Sequence, residues 1–233
     1  SVIIPTYEEK ENIAILISMI DKYMTKNSGD YEIIIVDDKS PDGTRQEVEK
    51  MIDLLGEDKV KLLNRLGKMG LGTAYIDGCK LAKGDFIFLM DADFSHHPKF
   101  LSQYIEKQKE DNADVVTGSR YVQGGGVYGW SVLRKLISRG ANFFASFFLK
   151  PIISDLTGSF RLYKREAFLS LIEEVKNVGY AFQMEIIIRA QYKNMKISEV
   201  PITFVDRIHG QSKLAFKEIF IYFQTVINLY KEL

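Results

Sequence analysis

The segment at residues 31–38, which reads YEIIIVDD, decides the fold class of this chain. Its centre is almost entirely apolar, as expected for a strand that is buried on both faces of a parallel sheet. The run ends in two adjacent acids, Asp37 and Asp38, so this strand would bring carboxylates to one edge of that sheet. Other short apolar runs predict further strands at residues 2–4, 60–63, 86–90 and 115–117.

Helical patterns alternate with these strands. Between the first two strands, apolar residues recur at the spacing of one helix face, at Ile13, Leu16, Ile17 and Ile20. Similar patterns, with their turn residues, predict helices at residues 9–26, 44–55, 70–83 and 98–110. This alternation predicts an α/β fold with a mainly parallel sheet, flanking helices and right-handed crossovers.

The pattern changes after residue 120. The glycines at 124–126 predict a loop, and helical patterns follow at residues 132–149, 180–192 and 214–229. Residues 197–205 alternate and predict one more strand, which contains Pro201. Because no internal repeat or low-complexity linker separates the halves, we expect a single domain over residues 1–233 with an elaborated C-terminal half.

The composition excludes several classes of protein. With 46% hydrophobic and 27% charged residues, the chain has enough apolar side chains to exclude a disordered protein. The formal net charge of +0 argues against a non-specific nucleic-acid binder, and the one cysteine excludes an internal disulfide framework. No apolar run approaches the length of a membrane span, since the strongest, at 143–149, stops at Lys150. The chain starts at Ser1 without an initiator Met, so we expect a trimmed N-terminus.

Acidic residues follow three of the predicted strands. Glu8 and Glu9 follow the first, Asp37 and Asp38 the second, and Asp91 and Asp93 the fourth. Ligands of open α/β sheets bind beyond the carboxyl ends of the strands, where these acids would meet. Any one of them could simply cap a helix, but three coincident strand ends make capping alone a poor explanation. Oxygen ligands suit Mg²⁺ or Mn²⁺, so the pattern favours a metal–diphosphate site.

Two other motifs carry less weight. The stretch GKMGLG at residues 67–72 lacks both the Walker and the dinucleotide glycine spacing, so we interpret it as a turn into the next helix. His96 and His97 are adjacent and precede a helix, which is typical of loop residues, and we predict no zinc site there.

The motifs at the strand ends resemble those of family 2 glycosyltransferases, which have the Rossmann-like GT-A fold. They read VIIPTYEE at residues 2–9, VDDKSPDGT at 36–44 and DADFSHHP at 91–98. Within that family, later motifs are closest to the catalytic subunits of dolichyl-phosphate mannosyltransferases: TGSRY at 117–121, DLTGSFR at 155–161 and IHGQSK at 208–213. The resemblance runs from Ser1 to the C-terminus.

The resemblance implies a reaction and its surroundings. Mannose would pass from GDP-mannose to dolichyl (polyisoprenyl) phosphate with inversion, with Mg²⁺ or Mn²⁺ as cofactor. The product would serve as mannosyl donor for N-glycans, O-mannosylation and GPI anchors. The enzyme would act at the membrane surface, on the cytoplasmic face of the endoplasmic reticulum, held there by small membrane-anchoring subunits or by spans of its own. Nucleic acid would not be a partner.

The resemblance also implies roles for individual residues. The guanosine pocket would be lined by Pro5, Tyr7, Glu9, Val36 and Asp38. The D-x-D motif, Asp91-Ala92-Asp93, would hold the metal against the diphosphate, and Ser95, where Gln is also found in the family, would be a weaker ligand. Arg120, Arg207 and Lys213 would neutralise the diphosphate. The nucleotide-binding part would cover about residues 1–120, and the acceptor-binding and C-terminal part about 121–233. Many family members have Asn in place of Glu8 and Gly in place of Lys39.

The acceptor residues implied by the resemblance are Arg134 and Ser138. They are four residues apart and would therefore share one face of a helix. A phosphate monoester has a second pKa of about 6 and is already anionic at neutral pH, so it needs positioning rather than a general base. The aromatic residues at 143–148 and the C-terminal helix are the candidates for lipid contact, with burial in the core as the alternative.

Two other functions remain open from the sequence. One is a glucosyltransferase that uses UDP-glucose with the same fold and metal, which the D-x-D motif cannot distinguish. The other is a non-catalytic nucleotide-sugar-binding or scaffold protein, against which the intact Asp91, Asp93 and Arg120 argue.

Overall fold

The computed structural model describes residues 1–27, 29–207 and 216–233. Its strands are β1 (Val2–Thr6), β2 (Ile33–Asp37), β3 (Val60–Asn64), β4 (Phe86–Leu89), β5 (Val115–Ser119), β6 (Gly126–Tyr128), β7 (Arg161–Lys164), β8 (Ile197–Pro201) and β9 (Thr203–Val205). Its helices are α1 (Lys10–Asn27), α2 (Thr44–Leu55), α3 (Leu71–Leu81), α4 (Leu101–Asp111), α5 (Val132–Leu149), α6 (Arg165–Ile172), α7 (Phe182–Tyr192) and α8 (Phe216–Glu232), with a 3₁₀ turn at Pro98–Phe100 before α4.

The centre of the fold is a seven-stranded sheet in the order β3-β2-β1-β4-β7-β5-β8. Strands β1, β2, β3 and β4 run parallel, as do β5 and β8. The predicted α/β fold with a mainly parallel sheet is therefore confirmed.

The sequence patterns missed β7 and α6. Strand β7 is antiparallel to both of its neighbours, β4 and β5. It reads only RLYK, and its four residues include two basic ones, so it lacks the apolar run that marks the other central strands. Its place in the sheet comes from pairing across the chain, because Arg161 faces Leu89 on one side and Thr117 on the other.

Residues 197–205 form two strands, not the one that was predicted. Strand β8 ends at Pro201, and β9 leaves the main sheet to pair with β6 in a two-stranded parallel ribbon. Backbone bonds fix this change of direction, since Ile202 N donates to Ser119 O and Gly126 N donates to Ile202 O. The predicted loop at 124–126 accordingly ends where β6 begins, and the ribbon stands beside the carboxyl end of β5.

The core lies on both faces of the main sheet. On β2, Ile34 and Val36 pack on one face while Ile33 and Ile35 pack on the other, and all four are completely buried. This is the burial that the YEIIIVDD segment predicts. Helices α3, α5, α7 and α8 contribute to the first face, and α1, α2 and α4 to the second.

Helices α5 and α8 pack on each other through an aromatic contact. The Phe144 ring centroid lies 4.7 Å from that of Phe223, and Phe148 lies 5.5 Å from Tyr230. The aromatic run at 143–148 is therefore divided, because Phe143 and Phe147 remain exposed. Among the described residues, no helix combines the length and hydrophobicity that crossing a bilayer demands.

Candidate active site

The carboxyl ends of β1 and β2 are locked together by Asp37. Its Oδ1 accepts a hydrogen bond from Thr6 Oγ1 at 2.9 Å and another from Ser40 Oγ at 2.6 Å. Since Asp37 is also almost completely buried, its role is to hold the turn after β2. The adjacent Asp38 is only partly buried, so it is the acid that this strand end offers to a ligand.

The predicted nucleoside residues gather around this turn, but they do not all present their side chains. Pro5 and Val36 are register partners on β1 and β2. The Val36 side chain is completely buried in the core, so any contact that it makes with a nucleotide would be through its backbone. Tyr7 lies under Lys68, whose Nζ is 3.4 Å from the ring centroid. Glu9 sits at the start of α1, where its Oε2 accepts a bond from Asn12 Nδ2 at 2.8 Å.

Arg65 is a residue of this pocket that sequence reasoning missed. Its guanidinium is buried and contacts Asp38 Oδ1 at 2.5 Å, Thr73 Oγ1 at 2.6 Å and the carbonyl of Gly70 at 3.3 Å. It therefore fixes both Asp38 and the glycine stretch at 67–72. Burial raises the pKa of Asp38 even though Arg65 opposes the shift. A single arginine directly after a strand gave no signal in the sequence.

The glycine stretch is a close-packed turn, in line with its interpretation as an entry to α3. Gly70 has φ +102°, and a Cβ there would lie 2.5 Å from Val178 O. Gly72 N donates to the same carbonyl at 2.8 Å. Gly70 is thus required to bring the loop before α7 against the start of α3, and a Cβ at Gly72 would lie 2.5 Å from Cδ2 of the Phe182 ring.

Asp91 and Asp93 follow β4 at a bend. Asp91 accepts from Ser159 Oγ at 2.8 Å and from Tyr75 Oη at 3.3 Å. Asp93 accepts from Ser95 Oγ at 2.5 Å through Oδ1, and its Oδ2 lies 3.2 Å from Arg207 Nη2. The structure thus brings the two predicted metal ligands and Arg207 together, while Lys213 lies outside the described residues.

His96 lies in a loop before the 3₁₀ turn, as predicted, and its side chain packs inside the protein. It is buried, its ring stacks on Phe160 with 4.9 Å between centroids, and Nδ1 accepts from the backbone N of Asp91 at 3.1 Å. Burial lowers the pKa of His96, so its imidazole is neutral at pH 7. The ring therefore supports the bend that carries Asp91.

The donor set at this bend fits a divalent cation that also binds phosphate. Asp91 has 31% of its side chain exposed, and its carboxylate is held by hydroxyl donors. Ala92 beside it is buried. Ser95 fits less well as a ligand, because it is buried and its hydroxyl donates to Asp93. No group of three or more metal-binding side chains occurs in the part of the chain that the structure describes. Mg²⁺ commonly takes one or two carboxylates and completes its shell with substrate phosphates and water.

Arg120, which the resemblance places at the sugar diphosphate, forms an ion pair with a buried acid. Its Nε and Nη2 each lie 2.6 Å from a carboxylate oxygen of Asp155, which is completely buried. Nη2 also donates to Thr157 Oγ1 at 2.6 Å. These bonds hold Nε and Nη2 against Asp155 and Thr157, and the contact with a sugar diphosphate stays a prediction.

Arg134 and Ser138 lie one turn apart on α5, as predicted. Arg134 Nη1 donates to Asp206 Oδ1 at 2.7 Å, and its guanidinium carbon lies 4.3 Å from the ring centroid of Trp130. The Ser138 hydroxyl is 2.7 Å from Tyr121 Oη. Trp130 itself was missed by sequence reasoning, although it is the one tryptophan and stands directly before the Ser131 cap of α5.

The main sheet is open and mainly parallel, and two acids lie at the bend beyond its central strand. This arrangement defines an α/β protein that binds its ligand at the carboxyl ends of the strands.

The sequence comparison is more specific. The family described as glycosyl transferase family 2 matches residues 1–171. The chain therefore belongs to glycosyl transferase family 2.

Two curated relatives extend this similarity over nearly the whole chain. It is 41% identical over 233 residues to a dolichol-phosphate mannosyltransferase of Pyrococcus furiosus, covering 99% of this chain and 63% of that protein. It is 37% identical over 222 residues to a polyprenol monophosphomannose synthase of Mycolicibacterium smegmatis, covering 94% of this chain and 82% of that protein. The chain thus spans less than two thirds of the archaeal relative.

Solved structures support the fold. A glucosyl-3-phosphoglycerate synthase of Mycobacterium tuberculosis, crystallised with Mn²⁺, UDP and glucosyl-3-phosphoglycerate, matches 97% of this chain and 76% of its own with a TM-score of 0.70 and 16% identity. A complex of that protein with Mg²⁺ and UDP matches 97% of this chain and 75% of its own, with a TM-score of 0.66 and 18% identity. At such identities the likeness concerns the fold alone.

Proposed function

We propose that this chain transfers mannose from GDP-mannose to a polyisoprenyl phosphate such as dolichyl phosphate, with inversion at the sugar carbon. The observation that carries the proposal is the identity of 37–41%, over 94–99% of the chain, to relatives named for polyisoprenyl-phosphate mannose synthesis. We further propose that the donor binds mainly to residues 1–120 and the acceptor mainly to residues 121–233.

On the donor side, Asp38 and Tyr7 would bind the nucleoside. Asp38 is presented at the end of β2 by Arg65, and its carboxylate can accept the N–H groups of a guanine edge. Tyr7 offers a ring face that Lys68 now covers, so base stacking would require Lys68 to move. Pro5, Val36 and Glu9 would shape the walls of this pocket.

At the diphosphate, Asp91 and Asp93 would hold Mg²⁺ or Mn²⁺. When bound, such a cation offsets the charge that develops on a nucleoside diphosphate leaving group. Arg207 already lies against Asp93 and is the described cation best placed to reach the same phosphates, with Lys213 as a further proposed contact.

On the acceptor side, Arg134 and Ser138 would position the phosphate. The guanidinium offers paired donors to phosphate oxygens, and the Ser138 hydroxyl, oriented by Tyr121, offers another. Because the nucleophile is already anionic, it needs no general base, and the contribution of Arg134 and Ser138 would be to orient it opposite the leaving group.

The surface around α5 and α8 suits a lipid substrate. Large apolar side chains are exposed on and next to these helices at Val132, Leu133, Leu136, Ile137, Phe143, Phe147, Ile152, Phe220 and Tyr230. The exposed Lys135, Arg139 and Lys150 lie among them. An apolar helix face bordered by basic residues binds the interface of an anionic membrane. A membrane surface is therefore part of this proposal.

The sequence resemblance supports a further proposal about the cellular setting. The protein would act on the cytoplasmic face of the endoplasmic reticulum with small membrane-anchoring subunits. Its product would serve N-glycans, O-mannosylation and GPI anchors.

The function is tested by a transfer assay. The protein, Mn²⁺ and a polyisoprenyl phosphate in liposomes are incubated with radiolabelled GDP-mannose or UDP-glucose, and label in the lipid phase is counted. We expect transfer from GDP-mannose alone, and Asp93→Ala should remove it. Transfer from UDP-glucose alone would replace the proposal with a glucosyltransferase, and binding of GDP-mannose without transfer would favour a non-catalytic protein.

A further inference from the structure

A cavity of about 470 Å³ lies between the loop after β5 and the middle of α5. Its volume falls in the range of small-molecule sites, about 300–1,000 Å³. Of the described residues that line it, two are arginines, Arg120 and Arg139, and none is acidic. The cavity therefore presents positive charge without a carboxylate on its surface, which favours an anionic ligand.

The two arginines differ in the charge that they leave for a ligand. Arg120 lies against Asp155, which offsets its charge, with 2.6 Å between Nε and the carboxylate. Arg139 is exposed and makes no hydrogen bond or ion pair within the part of the chain that the structure describes. Arg139 is therefore the uncompensated cation of this cavity, and it can bind a ligand without giving up a partner.

Arg139 lies where the cavity meets the exposed apolar face of α5. At about 100° per residue, Arg139 is about 40° from Phe143 and about 60° from Leu136 around the helix axis. Both of these side chains are exposed, by 75% and 62%. On the other side of Arg139, about 60° away, Asn142 is buried and lines the cavity. Arg139 thus stands at the boundary between an apolar surface and a polar cavity.

Tyr121 connects the cavity to the hydroxyl proposed for the acceptor. It lines the cavity, and its Oη lies 2.7 Å from Ser138 Oγ. Ser138 is about 100° around α5 from Arg139, on the side of Asn142. A phosphate in this cavity would therefore lie beside Ser138, and an isoprenoid attached to it would continue toward Phe143. The cavity and the apolar face of α5 match the charged head and the apolar tail of a lipid phosphate.

We propose that Arg139 is a further acceptor-binding residue, which holds the phosphate of an isoprenoid lipid in this cavity. This inference rests on the proposed function, because it takes an isoprenyl phosphate as the substrate. The phosphate carries about −1.5 to −2 charges at pH 7. A guanidinium can donate two parallel hydrogen bonds to its oxygens. Lys135 on α5 and Lys150 directly after it are also exposed, but they do not line the cavity. A general attraction between this surface and anions would involve all three cations alike.

Binding in solution tests this inference without a membrane. Calorimetry measures the affinity of the wild type, Arg139→Gln, Arg139→Lys and Lys135→Gln for farnesyl phosphate. Arg139→Gln and Lys135→Gln each remove one positive charge from an exposed position on α5, so Lys135→Gln is the matched control. The same four proteins are titrated with farnesol, which lacks the phosphate, with dihexanoyl phosphatidylglycerol, which is a phospholipid, and with GDP.

We expect Arg139→Gln to lose at least about fivefold in affinity for farnesyl phosphate, because hydrogen bonds to a charged group are lost. Lys135→Gln should stay within about twofold of the wild type, as expected for an exposed charge without a specific contact. Arg139→Lys should fall between the wild type and Arg139→Gln, because it keeps the charge but not the paired donors. Affinities for farnesol and GDP should be the same in all four proteins.

Equal losses in Arg139→Gln and Lys135→Gln would indicate a general electrostatic attraction and would overturn the inference. Arg139-dependent binding of the phospholipid in preference to farnesyl phosphate would overturn it too, as would a wild type that does not bind farnesyl phosphate. A parallel loss of GDP affinity in both Arg139 variants would assign this residue a structural role instead. Because these measurements need no sugar transfer, failure of the proposed reaction would be seen separately, in the transfer assay.

Discussion

At the scale of single residues, charge pairs determine what each arginine can do. Arg120 and Arg134 both lie near the ring of Trp130, yet their surroundings differ. Arg120 is buried against a buried carboxylate, whereas Arg134 is partly exposed against a partly exposed one. Breaking a buried pair leaves an uncompensated charge, while an exposed pair exchanges partners readily. From this contrast we expect the Arg120 pair to contribute to stability, whereas Arg134 can exchange its partner more readily.

We therefore predict that Asp155→Asn destabilises the protein by about 3–5 kcal/mol, since it leaves Arg120 buried without its partner. Urea unfolding followed by circular dichroism measures the change, and Asp53→Asn is the matched control. Paired replacement, Arg120→Met with Asp155→Leu, should be less damaging than the single change. Near-wild-type stability of Asp155→Asn would leave donor binding as the predicted role of Arg120.

The same pair predicts a pH dependence. Burial alone would raise the pKa of Asp155, but the Arg120 guanidinium lowers it below its usual value. A lowered folded-state pKa means that the stabilisation is present above the unfolded-state pKa of about 3.9 and is lost as the pH falls through the folded-state value. The difference in stability between the wild type and Asp155→Asn should therefore be constant from pH 7 to about pH 5 and shrink in stronger acid.

At the scale of elements, α5 carries different groups of side chains along its length. Its first turn carries Arg134, the next carries Ser138, and its last turns carry the aromatic residues that pack on α8 or remain exposed. At about 100° per residue, Phe143 and Phe147 lie about 180° and 220° around the helix axis from Arg134. The exposed aromatic residues and Arg134 are therefore on different faces of α5.

We predict that Phe143→Ser with Phe147→Ser reduces binding to anionic liposomes by roughly tenfold or more, because burying a phenylalanine contributes about 1.5–3 kcal/mol. Liposome flotation measures the effect, and calorimetry should show unchanged affinity for GDP. The matched control is Ile15→Ser with Leu54→Ser, two exposed apolar positions on α1 and α2. Equal loss in both double variants would mean that lipid contact is not confined to α5.

At the scale of the whole molecule, the parallel strands of the sheet could be predicted from the sequence. The antiparallel strand β7, which lies between β4 and β5, could not. Apolar runs such as Ile33–Val36 report burial on both faces, so β1 to β5 and their helices were predicted within a few residues. Strand β7 gave no such signal, because Arg161 is stabilised by carbonyl groups of Leu156 and Gln183, which only the folded chain brings together.

Some residues of the candidate site could likewise be predicted from the sequence, and others could not. Acids at the ends of strands can be predicted from the sequence because they follow apolar runs, as Asp91 and Asp93 do. Arg65, His96, Trp130 and Asp206 were not predicted, since each acts through contacts between distant segments. The ion pair of Arg120 could not be predicted, because a motif does not show whether its arginine faces a ligand or a buried acid such as Asp155.

The position of β7 between β4 and β5 bears on the proposed division of the chain at residue 120. A fragment of residues 1–120 lacks β7, so β4 and β5 would have no strand between them. We expect this fragment to lack a cooperative unfolding transition and a dispersed NMR spectrum, while residues 1–233 show both. A folded fragment that binds GDP would instead establish an independent nucleotide-binding domain.

Strand β7 also has a consequence for synthesis of the chain. Strand β4 ends at Leu89, and its partner on one side begins only at Arg161, about 70 residues later. At translation rates of about 5–20 residues per second, one edge of β4 stays unpaired for several seconds before this partner is synthesised. During that interval an apolar strand edge is open to pairing with other chains, which is a recognised route to aggregation. The nascent protein is therefore expected to depend on chaperones most strongly before residue 164 is made.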